Sequence, residues 1–446
     1  MGFVPNTEED KKEMLKAIGV SSFEELISDI PAEIRLKEEL NLPEPLSEYE
    51  VLKELQDISE KNLDLNHAIC FLGGGAYDHF IPSAVFTIIS RSEFYTAYTP
   101  YQAEVSQGTL QSIYEYQTMI CRLTGMDAAN ASMYDGGSAL AEAVLLSIGY
   151  TERKEVVVAG PVNPNYLKVV KTYTHPRKAQ IKLTKFDAGV CDIEDLKQKV
   201  TDNTACVIVQ QPNFFGNIED VFEIERITHL HGALFIVAID PISLGLLVPP
   251  GEYGADIVVG EGQPLGIPLS FGGPYLGIFA VKEFLIRKMP GRLSGITIDR
   301  NGERGFTLTL QTREQHIRRE KATSNICTNQ GLMMLAATVY MALMGKQGLK
   351  EVATLCLQKS HYLAEKISQI DGFKLKYKQP FFKEFVVETP LPVSLIKDKL
   401  QAKKILPGID ISKFAGYGDG LLIAVTEKRT KKEMDIFVDE LKNLVG

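Results

Sequence analysis

Leu234-Phe235-Ile236-Val237-Ala238-Ile239-Asp240 is the stretch on which the fold turns. Six apolar residues run without a polar break and close on an acid, with Pro241 directly after. A short apolar run ended by a turn signal reads as a fully buried strand. The same signal recurs on both sides, at residues 156–158, 181–186, 205–209, 257–259 and 276–281. Between these lie helical patterns at 164–172, from the cap Asp192 to Val200, and at 218–229. Two more helices, 108–123 and 138–148, precede them, the first with Leu110, Ile113, Tyr114 and Gln117 at helical spacing. Strands alternating with helices mean βαβ units and a mainly parallel α/β sheet.

Outward from that sheet the chain divides into three. Residues 1–95 read as a helical arm. Thr7 caps a helix that Gly19 stops, Ser21-Ser22 begins a second that ends at Ile30-Pro31, and Ser47 with Glu50 forms a capping box for a third. Residues 96–331 form the large α/β domain, and 332–446 a small α+β domain. The small domain opens with the apolar run 332–344, too short for the ~20 residues that span a bilayer, so it reads as a buried helix. Strands follow at 373–377, 385–388 and 421–425, with antiparallel pairing. A helix at 392–403 has proline at its first position, and Thr430 with Glu433 caps a last helix from Lys431 to Val445.

Composition excludes several classes. In 446 residues, 45% are hydrophobic and 24% charged, which suits a globular chain with a large core. Forty-eight Lys and Arg against 57 Asp and Glu leave a net charge of −9. Such a chain is not built to coat nucleic acid or an anionic membrane. Cys70, Cys121, Cys191, Cys206, Cys327 and Cys356 form no CxxC pair and read as reduced, mostly buried thiols. The N-terminus has no apolar stretch for a signal peptide, and Asn6 stands where a myristoylation motif wants Ser or Thr. A cytoplasmic protein is expected.

Familiar catalytic patterns are missing: GxGxxG after a strand, GxxxxGK[ST], GxSxG and HExxH do not occur. His229 and His231 stand two apart at a helix end, a poor metal spacing, and no metal is expected. An α/β domain followed by a smaller α+β one suits a fold that holds pyridoxal phosphate. That cofactor needs a helix start for its phosphate, an acid for its ring nitrogen and a Schiff-base lysine. Tyr134-Asp135-Gly136-Gly137-Ser138-Ala139 suits the first, with Ser138 able to cap. The same glycines also suit an ordinary helix start. Asp240 suits the second, and equally a turn before Pro241. The third is unmet, because no lysine lies between Pro241 and Val281. Without an amine, transaldimination has no starting point.

Long strings elsewhere carry a resemblance. They are Phe3-Val4-Pro5-Asn6-Thr7, Leu72-Gly73-Gly74-Gly75-Ala76-Tyr77-Asp78-His79, the run from Tyr95 to Glu104 continuing into Ser106-Gln107-Gly108, the run from Leu310 to Thr328, and Gly416-Tyr417-Gly418-Asp419-Gly420. Nearly end to end the chain resembles subunit 1, the N-terminal-half subunit, of two-chain glycine dehydrogenase (decarboxylating). This is the P-protein of the glycine cleavage system. The resemblance implies the fold of the aspartate aminotransferase superfamily, fold-type I of pyridoxal-phosphate enzymes. It also implies a companion, subunit 2, that carries the lysine. Matching back from Pro274 through Phe271-Gly272-Gly273 puts Gln263 at the lysine position of this chain.

The implied chemistry belongs to a heterodimer or heterotetramer. Glycine forms an external aldimine on the companion's pyridoxal phosphate, the ring acts as electron sink while CO2 leaves, and the aminomethyl group passes to the lipoyl arm of H-protein. T- and L-proteins complete the system. This chain supplies no catalytic residue of its own. Gly272 and Gly273 would approach the companion's cofactor, and Gly136, Gly137, Ser138 and Asp240 would be vestiges of a cofactor site. Tyr95, Tyr98, Gln102 and Glu104 either line the shared cavity or fix the arm by packing. Arg313, Arg318, Arg319 and Lys321, alternating with Glu314 and Glu320, read as a solvated salt-bridged face. Two other classes compete: a self-sufficient pyridoxal-phosphate homodimer, a decarboxylase or lyase using another lysine, and a scaffold protein without a catalytic partner. An aldimine absorbance in the chain alone would favour the homodimer.

Overall fold

The computed structural model describes residues 5–445 apart from Glu39, Thr323 and Cys327, and leaves out the side chain of Arg313. Phe3 and Val4 of the first string, Thr323 and Cys327 of the fourth, and the charge of Arg313 therefore lie outside the described residues. Two compact units are present, residues 1–62 and 63–446.

The first unit is helical. Its helix Glu8–Ile18 has a capping box between Thr7 and Asp10 and ends at Gly19, whose φ of 90° is the left-handed conformation that stops helices. Ser22 caps the short helix Phe23–Leu26, and Ser47 and Glu50 box the helix Glu48–Ser59.

In the second unit seven strands form one sheet, in the order Ala128–Ala129, Gly277–Val281, Ile257–Glu261, Leu234–Ile239, Thr204–Gln211, Glu155–Ala159, Gln180–Leu183. The last five are parallel to one another, and Gly277–Val281 runs antiparallel to both its neighbours. Every residue of Leu234–Ile239 is buried. Helices cover both faces of a parallel sheet, so its strands are apolar throughout rather than alternating. One core packs Val237, Val258 and Ile278 on the side of the helices Gln107–Thr124 and Gly331–Ser368. The other packs Val158, Ile236 and Phe279 on the side of Gly136–Thr151 and Pro164–Thr174.

A second, antiparallel sheet runs Lys374–Leu375, Glu384–Glu388, Leu421–Ala424, Ile409–Asp410. The strand Ile69–Cys70 pairs with Ile405–Leu406, so residues 63–95 belong to this unit. Cys70, Cys191, Cys206 and Cys356 are buried and Cys121 is half-buried; all five are free thiols.

Several elements differ from the sequence expectation. Leu293–Ile298 and Arg304–Thr309 form a hairpin that the strand pattern passed over. Its tip carries Asn301-Gly302, a hairpin turn signal that was present to be read. The long helix Gly331–Ser368 breaks at Gly345, where φ is 58° and ψ is −171°. Pro392 stands at the N-cap of Val393–Gln401 rather than in its first turn. Asp135, not Ser138, caps Gly136–Thr151; Ser138 is the reciprocal member of that capping box. An aspartate carboxylate is the better acceptor for the helix N–H groups, which leaves the serine hydroxyl to bond back.

Candidate active site

The parallel strands end at one rim, and the polar residues that follow them meet there. Asp240 follows Leu234–Ile239, Glu261 closes Ile257–Glu261, and Gln210 lies near the end of Thr204–Gln211. The start of the helix Gly136–Thr151 faces the same point. From the second sheet come Lys383 and Glu384, and from the segment before the large domain Gly75 and Tyr77. Together they enclose a cavity with only about 20 Å³ of space for water, room for a single molecule.

The closure is built from hydrogen bonds. The Gly136 N–H donates to Glu261 Oε2 at 2.9 Å, while Glu261 Oε1 accepts from the N–H groups of Gln263 and Leu276 at 3.0 Å each. Gly136 must be glycine here, because a Cβ would sit 2.7 Å from Tyr166 Oη. Lys383 Nζ lies 2.8 Å from Asp240 Oδ2, 3.0 Å from His79 Nε2 and 3.5 Å from the centroid of the Tyr77 ring. The Tyr77 hydroxyl donates to Glu384 Oε2 at 2.7 Å, and the Gly74 N–H donates to Glu384 Oε1 at 2.7 Å. A Cβ on Gly73 would stand 2.3 Å from that same Oε1, so the glycine run lets the backbone close on the carboxyl.

Gln263 binds the backbone behind the cleft. Its Oε1 accepts the Tyr77 N–H at 2.8 Å, and its Nε2 donates to the carbonyls of Tyr77 at 3.0 Å and Ile267 at 2.7 Å. The amide thus ties three points of backbone, a role an ammonium could not fill because it has no acceptor.

His79 extends the network. Its Nδ1 donates to Glu427 Oε2 at 2.6 Å, leaving Nε2 to accept from Lys383. Cys356 Sγ lies 3.6 Å from the same Glu427 oxygen. Histidine, cysteine and glutamate gather as metal ligands do, but both imidazole nitrogens are already engaged and an ammonium sits beside them, which makes this a hydrogen-bonded chain of side chains and not a cation site. His229 bonds Glu225 and Asp256, and His231 bonds Asp202.

Burial sets the electrostatics. It pushes the Glu261 carboxyl up to about 8 against its three N–H donors, and raises Glu384, Glu219 and Glu142 to about 7. Burial would also raise Glu427, but its His79 partner and the Phe80 N–H overcome that and hold it at about 2. The four raised carboxyls keep protons in the folded chain where the unfolded chain has lost them. Their stabilisation is complete below the unfolded value near 4.5 and disappears as pH rises through 7 to 8. Glu427 acts oppositely, stabilising above 4.5 and failing as pH falls toward 2. The melting temperature of the chain is therefore expected to peak near pH 5 and fall toward pH 8 as the raised groups titrate. Glu261→Gln should flatten the decline. A melting temperature that rises from pH 5 to 8 would contradict it.

The other sequence candidates lie elsewhere. Gly137 and Ser138 are buried in the first turn of their helix, beside the cleft. Ser270, Phe271, Gly272 and Gly273 form a surface loop, all four with positive φ and with Phe271 83% exposed. Tyr95, Tyr98, Gln102 and Glu104 are exposed and none lines the cleft. Arg318, Arg319 and Lys321 are exposed. Tyr77, Glu261, Lys383 and Glu384 carried no role in the sequence reading. Lys383-Glu384 inside the apolar run Phe381 to Val387 was the available signal, because charges in a buried strand are almost always paired.

Comparison with known proteins gives one answer. Residues 1–441 match the family model of the glycine cleavage system P-protein. The probable glycine dehydrogenase (decarboxylating) subunit 1 of Chloroherpeton thalassium is 60% identical over 444 residues, covering 100% of both chains. The crystal structure of glycine decarboxylase (P-protein) of the glycine cleavage system, in inhibitor-bound form, superposes with a TM-score of 0.89 at 41% identity, again over 100% of both chains. Cysteine desulfurase from Thermococcus onnurineus NA1 shares the fold alone, with a TM-score of 0.62 at 17% identity over 87% of this chain and 98% of that one. The fold is that of the fold-type I pyridoxal-phosphate enzymes, and the chain belongs to the glycine cleavage system P-protein family.

Proposed function

We propose that this chain is the subunit of a heteromeric glycine dehydrogenase (decarboxylating) that lacks the Schiff-base lysine, and that the pyridoxal phosphate of the enzyme is held by its companion. The observation that supports the reading is Gln263, buried and bonded on both ends of its amide, at the position that the sequence resemblance matches to the companion's lysine. When bound to the companion, the cofactor supplies the electron sink for loss of CO2 from glycine. The aminomethyl product then passes to lipoylated H-protein, with T- and L-proteins completing glycine catabolism in the cytoplasm.

What this chain contributes is a surface. Tyr95 and Tyr98, 68% and 85% exposed, and Phe271 at 83% are large apolar side chains standing in solvent in the single chain. Exposed aromatic groups of this kind are enriched at subunit interfaces. Gly272 and Gly273 have φ of 123° and 129°, and no atom lies within 4 Å of a Cβ built on Gly272, so the backbone there is open to a partner's phosphate.

The homodimer reading would require another lysine in the cleft, and among the described residues that line it Lys383 is the one present. Its ammonium pairs with Asp240, the acid placed for the ring nitrogen. The aldehyde of the cofactor is para to that nitrogen, so an amine held on the acid is at the wrong end of the ring.

The test is reduction of the purified chain with borohydride in the presence of pyridoxal phosphate, followed by peptide mapping. No stoichiometric pyridoxyl-lysine is expected in this chain, and one is expected in its companion. A stoichiometric label on any lysine of the isolated chain would return the homodimer reading.

A further inference from the structure

A phosphate-bearing pyridine ring needs three things of a cleft like this one: free N–H groups at a helix start, a carboxylate for its ring nitrogen, and an amine. In this chain each of the three places is already taken by a side chain of the chain itself. We propose that the cleft is self-filled: Glu261 holds the anion seat, Lys383 holds Asp240 and Gln263 locks the amine position, so restoring a lysine at 263 does not open it to a phosphorylated ring. This rests on the reading that the companion carries the cofactor, and extends it from a missing amine to a built replacement.

The seat at the helix start is occupied at hydrogen-bond distance. The Gly136 N–H reaches Glu261 Oε2 at 2.9 Å, and the Tyr166 hydroxyl packs where a Cβ on Gly136 would be. A helix start binds anions through such N–H groups, and a carboxyl satisfies them as a phosphate oxygen would. Asp240 is engaged through both oxygens: Oδ2 faces Lys383 Nζ at 2.8 Å and Oδ1 accepts the Ile242 N–H at 3.1 Å. Tyr77, held at its backbone by Gln263 and at its hydroxyl by Glu384, places its ring under the Lys383 ammonium. The space that remains, about 20 Å³, admits a water molecule and no ring.

The replacement also joins two sheets. Lys383 and Glu384 lie at the start of a strand of the antiparallel sheet, while Asp240, Glu261 and Gln263 follow or close strands of the parallel one. Their bonds hold the two sheets together with no ligand between them, which makes the chain a preformed platform rather than a closing jaw.

The test uses the intact chain and two variants. Gln263→Lys, treated with pyridoxal phosphate and borohydride, is expected to remain unlabelled at residue 263 while melting cooperatively. Stoichiometric labelling there would overturn the proposal, and would leave the subunit assignment standing because the native chain has no lysine at that place. Glu261→Ala empties the anion seat, so inorganic phosphate should raise its melting temperature saturably above a chloride control of equal ionic strength. The native chain should show no such rise. A folded Glu261→Ala that ignores phosphate would also overturn the proposal. Should neither variant fold, the native chain decides: saturable stabilisation by phosphate refutes a filled seat, and its absence upholds one.

Discussion

Glycine-dependent CO2 release, or exchange of labelled bicarbonate into glycine, is expected only when this chain is mixed with its lysine-bearing companion and lipoylated H-protein. Neither subunit alone should give more than background. On the proposed reading, the chain keeps the fold-type I architecture while its own cleft is filled, so the chemistry is expected on the other subunit. Tyr95, Tyr98 and the loop from Ser270 to Gly273 are the exposed groups of this chain that such a companion would cover. Obligate interfaces bury about 2,000–5,000 Å² and are rich in apolar groups, so the two chains should also co-elute as one species. The effect is all or none in size, larger than any single substitution. Full activity from the companion alone would remove this chain from the reaction.

Lys383→Met is the substitution expected to destabilise the chain most. Lys383 is 1% exposed, and its ammonium has Asp240, His79 and the Tyr77 ring as its neighbours. Removing one member of a buried pair leaves the other charge without compensation, at a cost of about 3–5 kcal/mol. Here the stranded group is the Asp240 carboxylate, beside a Glu384 carboxyl that burial has already raised to about 7. Adding Asp240→Asn to Lys383→Met should recover part of the loss, since no charge is then left unpaired. Denaturant unfolding of the native chain, both single variants and the double variant measures the coupling. Additive losses would mean that the pair does not act as a unit.

The βαβ series was legible because each of its signals is local. The apolar run Leu234–Ile239 is a strand wherever a sheet forms around it, and its observed bounds match the sequence reading. Thr7, Ser47 and Asp192 cap helices by bonding groups two or three residues away, so those starts were readable too. The hairpin Leu293–Ile298 and Arg304–Thr309 was passed over because one of its strands is half exposed and lacks a continuous apolar run.

By itself the sequence determined the sheet, the absence of lysine between Pro241 and Val281, and the family strings. Periodicity, composition and residue identity are properties of the chain in one dimension. Only the tertiary structure decided what became of the cleft. Gln263 reaches Tyr77 across 186 residues, and Glu384 reaches Gly74 across 310. No spacing rule connects groups so far apart. A buried carboxyl or ammonium takes whichever partner the packed sheets bring to it, because an unpaired charge in that interior costs more than almost any local preference.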